Sequence, residues 1–289
     1  MKFEGTPIYK PGYGSMGENP VADGAPFTVS VVYLSWRQTG ERALLETAVL
    51  DVLVKTMDVM VRDKEHGLVL IDPAKAWDRC AYGFTDSIRK KGLCLFESLL
   101  YVEASRRLSE ILAAAERKAD SERFSKEARR VADSINAVFW DDQTGLYQAA
   151  TEQCKEHDIW GSAFAVWLDV ADEARAKRVA EVFKANHAGL TQKGGLRHTL
   201  PGVYWEKGCK PDTYQNGGFW GTPVGWYAYT LNKADPKLAN QLFIDLANDY
   251  ARRGVSEWVF GDIVYLPKGY MSSASLPLQG MRRIKSERK

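Results

Sequence analysis

Two seven-residue connectors constrain this chain more than anything else in it. Asp63-Lys64-Glu65-His66-Gly67-Leu68-Val69 and Asp141-Asp142-Gln143-Thr144-Gly145-Leu146-Tyr147 share the form Asp-x-x-x-Gly-Leu followed by an aliphatic or aromatic residue. They stand 78 positions apart, each after the second member of a helix pair. A turn closed by glycine, then a short extended return, marks a repeated supersecondary unit. Asn186-His187-Ala188-Gly189-Leu190 offers a weaker third copy.

The segments between the connectors read as helical hairpins. Apolar residues recur at three- and four-residue spacing through Pro26–Gln38, Glu41–Arg62, Ser87–Glu116 and a segment capped by Ser121 that ends near Phe139. A third pair is predicted at Ile159–Val170 and Asp172–Ala185, and a fourth at Trp220–Leu231 and Pro236–Arg253, where Pro236 suits a first helical turn. Strand signal is confined to pieces near Gly67–Ile71, Leu146–Ala149 and Leu196–Trp205. The predicted fold is therefore all-α, an α/α toroid of helical hairpins with short β returns in its loops. An extended N-terminal segment over 1–24, a toroid domain over 25–281 and a frayed basic tail over 282–289 complete the expected organisation.

Bulk properties exclude several functions. The 289 residues carry a formal net charge of +2, too small an imbalance to form a footprint for nucleic acid or an anionic membrane. No window approaches the roughly 18 apolar residues of a bilayer span, so a soluble protein is expected. The compartment is not fixed by the sequence, and is cytoplasmic if Met1 is the true start. Cys80, Cys94, Cys154 and Cys209 stand far apart with no CxxC pair, arguing against a zinc site or a disulfide framework. No metal and no cofactor are expected. Gly217-Gly218 fits neither a P-loop nor a dinucleotide fingerprint.

Nine Trp, thirteen Tyr and eleven Phe are unusual in their company, since many adjoin Gly, Asp, Asn or Gln. Such rings line sugar sites, where the C–H face of a pyranose packs on the ring and polar neighbours bind hydroxyls. A large core also buries many aromatics for packing alone. Three polar, aromatic stretches each precede a predicted helix, which puts them at one end of a hairpin repeat: 77–87, 156–162 and 214–226. They supply Trp77, Asp78, Arg79, Tyr82, Phe84 and Asp86; Asp158 and Trp160; and Tyr214, Gln215, Asn216 and Trp220. His198 and Trp205 come from a Gly-rich return, and Glu257 and Trp258 follow the last predicted helix.

The third stretch resembles the Gly- and Trp-rich segment of six-hairpin glycosidases, the (α/α)6-barrel group that includes trehalases, processing α-glucosidases, amylo-α-1,6-glucosidases and α-L-rhamnosidases. Tyr214, Gln215, Asn216, Gly217, Gly218 and Trp220 match the pattern. Gly83-Phe84-Thr85-Asp86-Ser87 is similar to the motif whose Asp is the general acid, and Asp86 takes that position. The same resemblance makes Glu257 the general base. It implies a carbohydrate substrate and hydrolysis by two carboxyl groups, one donating a proton to the leaving oxygen and one activating water, with inversion as the expected outcome. Against the six hairpins of that fold the sequence supplies four, so a missing front portion, and a homo-oligomer or covering partner over exposed inner faces, are further expectations.

Each site residue has a structural alternative. Asp86 and Asp158 can cap helices, Asp78 can pair with Arg79, Glu257 can be a solvated loop carboxylate, and His198 can be a hydrogen-bonded structural histidine. Two other functions share the frame: a sugar epimerase or isomerase that uses His198 as proton carrier, and an inactive remnant that binds carbohydrate or serves as a scaffold.

Overall fold

The computed structural model describes residues 15–16, 19–20, 22–74, 87–265 and 269–287. They fall into two compact units, one up to Val138 together with Ala150–Gln153, the other Phe139–Ala149 together with the chain from Cys154 onward.

In the first unit β1 (Ser15–Met16) pairs with β2 (Asn19–Pro20), ahead of α1 (Gly24–Thr39). A 3-10 turn (Arg42–Leu45) leads into α2 (Thr47–Asp58), and β3 (Leu70–Ile71) pairs with β4 (Gly92–Leu93) before the hairpin α3 (Leu95–Ala114) and α4 (Lys118–Val138). The second unit opens with β5 (Trp140–Asp141) and β6 (Leu146–Tyr147). It continues through α5 (Ile159–Trp167), α6 (Glu173–Leu190), β7 (Thr191–Gln192), β8 (Gly195–Leu196), β9 (Phe219–Trp220), α7 (Val224–Leu231) and α8 (Pro236–Arg253). It ends with β10 (Trp258–Phe260), β11 (Ile263–Tyr265) and α9 (Met271–Glu287). The described residues thus form an all-α chain of hairpins with short strands in the returns.

Burial sorts the helices into two kinds. Of α4 only Phe124, Ala128, Val131, Ala132 and Ile135 are buried, a single stripe at helical spacing, and α6 and α8 show the same pattern through Ala176, Val179, Ala180 and Phe183 and through Ala239, Leu242, Phe243 and Leu246. Their partners are enclosed on every side: Leu95 to Val102 of α3, Ile159 to Val166 of α5 and all of α7 are buried. A helix apolar all round needs neighbours all round, and α7 packs against α5, α6, α8 and α9. Asp158, Asp172 and Asp235 cap α5, α6 and α8 by accepting from Gly161, Arg175 and Leu238 N–H at 2.9, 2.8 and 3.0 Å.

The connectors form alike. Asp63 accepts from Glu65, His66 and Leu68 N–H, and Asp141 from Gln143 N–H, as side-chain-closed turns. Gly67 and Gly145 take the positive φ values, 72° and 75°, that close each turn. The third copy is not at 186–190, which lies inside α6; it is the turn at Gly194, with φ 78°. Each turn glycine sits against the outer helix of the next hairpin: a Cβ on Gly67, Gly145 or Gly194 would meet Arg130 of α4, Arg178 of α6 or Leu246 of α8.

Other boundaries move for identifiable reasons. The helix expected from Ser87 starts at Leu95, because Gly92 (φ 83°) turns the chain and Lys90 Nζ is drawn inside onto Glu97 Oε1 at 2.7 Å, both side chains fully buried. The N-cap of α3 is therefore Cys94, and Ser87 lies well before it; Asp86 lies outside the described residues. The helix expected over Glu41–Arg62 breaks at the extended Glu46 and ends at Asp58. Ser121 lies within α4, its hydroxyl donating to Ser109 O at 2.9 Å. Trp220 belongs to β9, and α7 begins only after Pro223. The strand expected over Leu196–Trp205 is limited to Gly195–Leu196.

Residues 282–287 are not a frayed tail. They continue α9, with Ile284 buried, and Arg283 donates to Trp167 O, pairs with Asp169 at 3.1 Å and lies over the rings of Tyr229 and Trp167 at 4.2 and 4.6 Å. Nor was the five-stranded antiparallel sheet anticipated, in the order β11-β10-β9-β8-β7. One rung of it runs Leu196, Trp220, Trp258, Tyr265.

Candidate active site

That rung organises the site. Trp220 on β9 stands opposite Leu196 on one side and Trp258 on the other, and Glu257 immediately precedes Trp258. The return after β8 brings His198 to the start of α5, where Ile159 N–H donates to His198 O at 2.8 Å. The His198 ring stacks on Trp160 with centroids 3.5 Å apart and planes 17° off parallel. Trp160 in turn meets Trp220 edge-on at 5.7 Å, and the rings of Trp205 and Trp220 approach His198 at 6.2 and 6.3 Å.

The polar edges of these rings are committed to backbone carbonyls. Trp160 Nε1 donates to Arg197 O at 3.1 Å, Trp205 Nε1 to Gln215 O at 3.0 Å and Trp220 Nε1 to Tyr214 O at 3.0 Å. A buried indole N–H needs such a partner, and each bond also pins a loop to the wall. Trp160, Trp220 and His198 are at most 1% exposed, so they back the wall and do not form its surface. Asn216 is spent inside its own loop: its Oδ1 accepts from Trp205 N–H at 2.8 Å and its Nδ2 donates to Cys209 O at 2.7 Å. Gln215 is buried, and Asp158 is the cap of α5.

Nearer the surface, half-buried Tyr214 directs its hydroxyl to Glu257 Oε1 at 3.4 Å, with its ring 5.1 Å from Trp220 and 6.3 Å from Trp258. Glu257 itself is 9% exposed. Of the predicted site residues the structure thus gathers Trp160, His198, Trp205, Tyr214, Gln215, Asn216, Trp220, Glu257 and Trp258 around one sheet. Trp77, Asp78, Arg79, Tyr82, Phe84 and Asp86 lie outside the described residues.

Sequence reasoning passed over three neighbours. Tyr270 meets Trp220 edge-on at 6.2 Å. Tyr204 donates to Asp212 Oδ1 at 2.7 Å, and this bond raises the phenol above its ordinary value. Glu156, beside the predicted Asp158, accepts from Glu206 N–H at 2.6 Å, and its carboxyl is raised by burial and by the charge of Glu206. Glu156 had a signal in the polar stretch that opens α5, and Tyr204 in the Gly-rich return that carries His198 and Trp205. Burial also lowers the Arg197 guanidinium, which donates to Val203 O at 3.0 Å. Among the described residues no group of three or more His, Cys, Asp or Glu side chains could hold a metal ion, and no helix is long and apolar enough to cross a membrane.

A nearly buried carboxylate beside Tyr214 and Trp258, with loops anchored through indole N–H groups, suits a ligand that offers C–H faces and hydroxyls. The rhamnosidase from Klebsiella oxytoca with rhamnose bound is similar to this chain with a TM-score of 0.64 at 12% identity, over 94% of this chain and 48% of that one. The chain thus spans about half of that protein's length. An uncharacterized conserved protein from Thermus thermophilus is similar with a TM-score of 0.64 at 15% identity, over 88% of this chain and 76% of that one. None of the curated proteins matches this chain. Residues 4–193, about two thirds of the sequence, match the model of the bacterial alpha-L-rhamnosidase 6 hairpin glycosidase domain, and the chain belongs to that family.

Proposed function

We propose that this chain is a glycosidase that removes a terminal sugar, of the α-L-rhamnosyl class, by general acid/base catalysis with inversion. The observation that carries the reading is Glu257, a carboxylate 9% exposed at the edge of an aromatic wall and in reach of the Tyr214 hydroxyl. The family membership and the relative with rhamnose bound supply the substrate class.

Glu257 is the base. Ionised, it takes a proton from water as that water attacks the anomeric carbon. Asp86 is the acid, giving its proton to the glycosidic oxygen as the bond to the leaving group breaks. Inversion requires the two carboxyls to stand about 6.5–9.5 Å apart, with water and sugar between them. Trp205, Tyr214 and Trp258 offer ring surface to the sugar, and the motif resemblance adds Trp77, Asp78, Arg79, Tyr82 and Phe84 as substrate-binding residues.

The test uses nitrophenyl α-L-rhamnoside beside a panel of other glycosides. Glu257→Gln and Asp86→Asn should each lower kcat by about 10²–10⁴-fold with an unchanged circular dichroism spectrum. NMR of the first product should show the inverted anomer. Full turnover in either variant removes that assignment. The epimerase reading gains nothing from His198, whose enclosed ring is stacked on Trp160 and poorly placed to carry protons to a carbonyl.

A further inference from the structure

Tyr214 is held in a way that packing alone does not require. Its φ is 43°, in the left-handed region that a bulky side chain seldom adopts, and Asp212 two residues earlier also has positive φ, 60°. Such backbone persists only where its surroundings over-determine it, and it concentrates at functional sites. The surroundings here are explicit. The Tyr214 carbonyl accepts twice, from Gly218 N–H at 3.1 Å and from Trp220 Nε1 at 3.0 Å. The loop beneath is closed by Asp212 N–H to Asn216 O and Asn216 N–H to Thr213 O, both 2.8 Å. Gly218 has no room for a side chain, since a Cβ there would meet the Tyr214 carbonyl oxygen and lie 2.9 Å from the Trp258 ring.

All of these restraints fix one polar atom. The Tyr214 ring is lodged by Trp220 and Trp258, which face each other across β9 and β10, and its hydroxyl ends 3.4 Å from Oε1 of Glu257, the residue before Trp258. Donor and acceptor lie in the segments that lead into β9 and β10, and Trp220 and Trp258, which pair across those strands, tie the two segments together. A hydroxyl proton aimed at a carboxylate favours the ionised form over the protonated one and limits its rotation.

We infer that Tyr214 is a positioning residue for Glu257, a strained phenol that keeps this carboxylate ionised and oriented as the base. The inference rests on the proposed role of Glu257 and deepens it.

The decisive variant is Tyr214→Phe, which keeps the ring and removes only the hydroxyl. In nitrophenyl rhamnoside assays the acidic limb of the kcat/KM profile should move up by about 0.5–1 pH unit, because the base then protonates more readily. kcat should fall about tenfold while KM stays within about twofold. A risen KM with an unmoved limb would make Tyr214 a sugar contact, and a lowered melting temperature with an unmoved limb would make it a packing residue; either overturns the inference. A second readout needs no substrate. In protein labelled with 13C at glutamate side-chain carboxyls, the Glu257 resonance, assigned by its loss in Glu257→Gln, should titrate at higher pH in Tyr214→Phe than in the wild type, and coincident curves refute the idea. If Glu257→Gln keeps full turnover, the base assignment itself fails. If that variant is dead and the Tyr214→Phe limb is unmoved, only the present inference fails.

Discussion

Two glycines of the second unit share a backbone angle and differ in what surrounds them, which allows a conformational cost to be separated from a packing cost. Gly194 and Gly202 both have φ 78°. A Cβ added to Gly202 meets nothing within 4 Å, whereas one added to Gly194 runs into the backbone nitrogen and Cα of Leu246 and lies 2.6 Å from its Cβ. Both alanine variants bear the left-handed penalty of about 1–2 kcal/mol. Gly194→Ala must also displace the backbone of α8, adding overpacking of about 1–3 kcal/mol at the upper end of its range, because a helix backbone cannot swing aside as a side chain can. Expected totals are about 1 kcal/mol for Gly202→Ala and about 4 kcal/mol for Gly194→Ala. For a unit of about 150 residues these correspond to melting shifts of about 4 and 15 °C. Gly145→Ala, which meets the Arg178 side chain, should fall between them. Urea and thermal unfolding followed by tryptophan fluorescence suit the measurement, since most tryptophans lie in this unit. Losses for Gly194→Ala and Gly202→Ala within about 0.5 kcal/mol of each other would refute the claim that the third connector is seated on α8.

Other consequences are as direct. Glu97→Gln should cost about 3–5 kcal/mol in denaturant unfolding, because Lys90, fully buried, loses its carboxylate partner at 2.7 Å. Burial works to raise the Asp141 carboxyl, but bonds from Gln143 N–H, Thr144 and His157 outweigh it and hold the group below its ordinary value of 3.8. A depressed acid stabilises the fold above its ordinary value and loses that contribution as pH falls through the folded one. The stability gap between wild type and Asp141→Asn should therefore be widest near neutral pH and shrink below about pH 4; a gap independent of pH would contradict it. Arg283→Ala should destabilise by about 1–2 kcal/mol through lost ring and carbonyl contacts, whereas a solvated tail would show no change.

What could be read in advance follows from which interactions are local. The amphipathic stripe of α8 and its capping Asp235-Pro236 fixed both of its ends within the sequence, and the Asp63 and Asp141 turns announced themselves because their hydrogen bonds reach only a few residues. The start of α3 was illegible because the chain is diverted there by a buried ion pair across seven residues, while Ser87 offered plausible capping chemistry. α9 was hidden by its own composition. Pro277 and Gly280 are poor helix formers, yet Gly280 is needed where the helix crosses Gly225 of α7, with no space for a Cβ on either. Strands of two or three residues carry no periodicity, and the pairings of β9 with β8 and β10 span more than twenty positions, so the sheet was invisible. At the site, sequence alone does not separate the tasks of the motif residues. Asn216, Trp160, Trp205 and Trp220 are expected from sequence to shape the sugar pocket, and in the structure their polar groups hold backbone. Only contact distances distinguish a residue that lines a pocket from one that braces it.

The pairing of Trp258 with Trp220 places a strict limit on length variation. Between the end of α8 at Arg253 and this rung stand four residues, Gly254 to Glu257. Successive residues of a strand face opposite sides, so an insertion or deletion that shifted this pairing by one residue would turn the carboxylate away from the phenol. Most surface turns can vary in size, but a change here that moved the register would part Glu257 from Tyr214 without removing a helix.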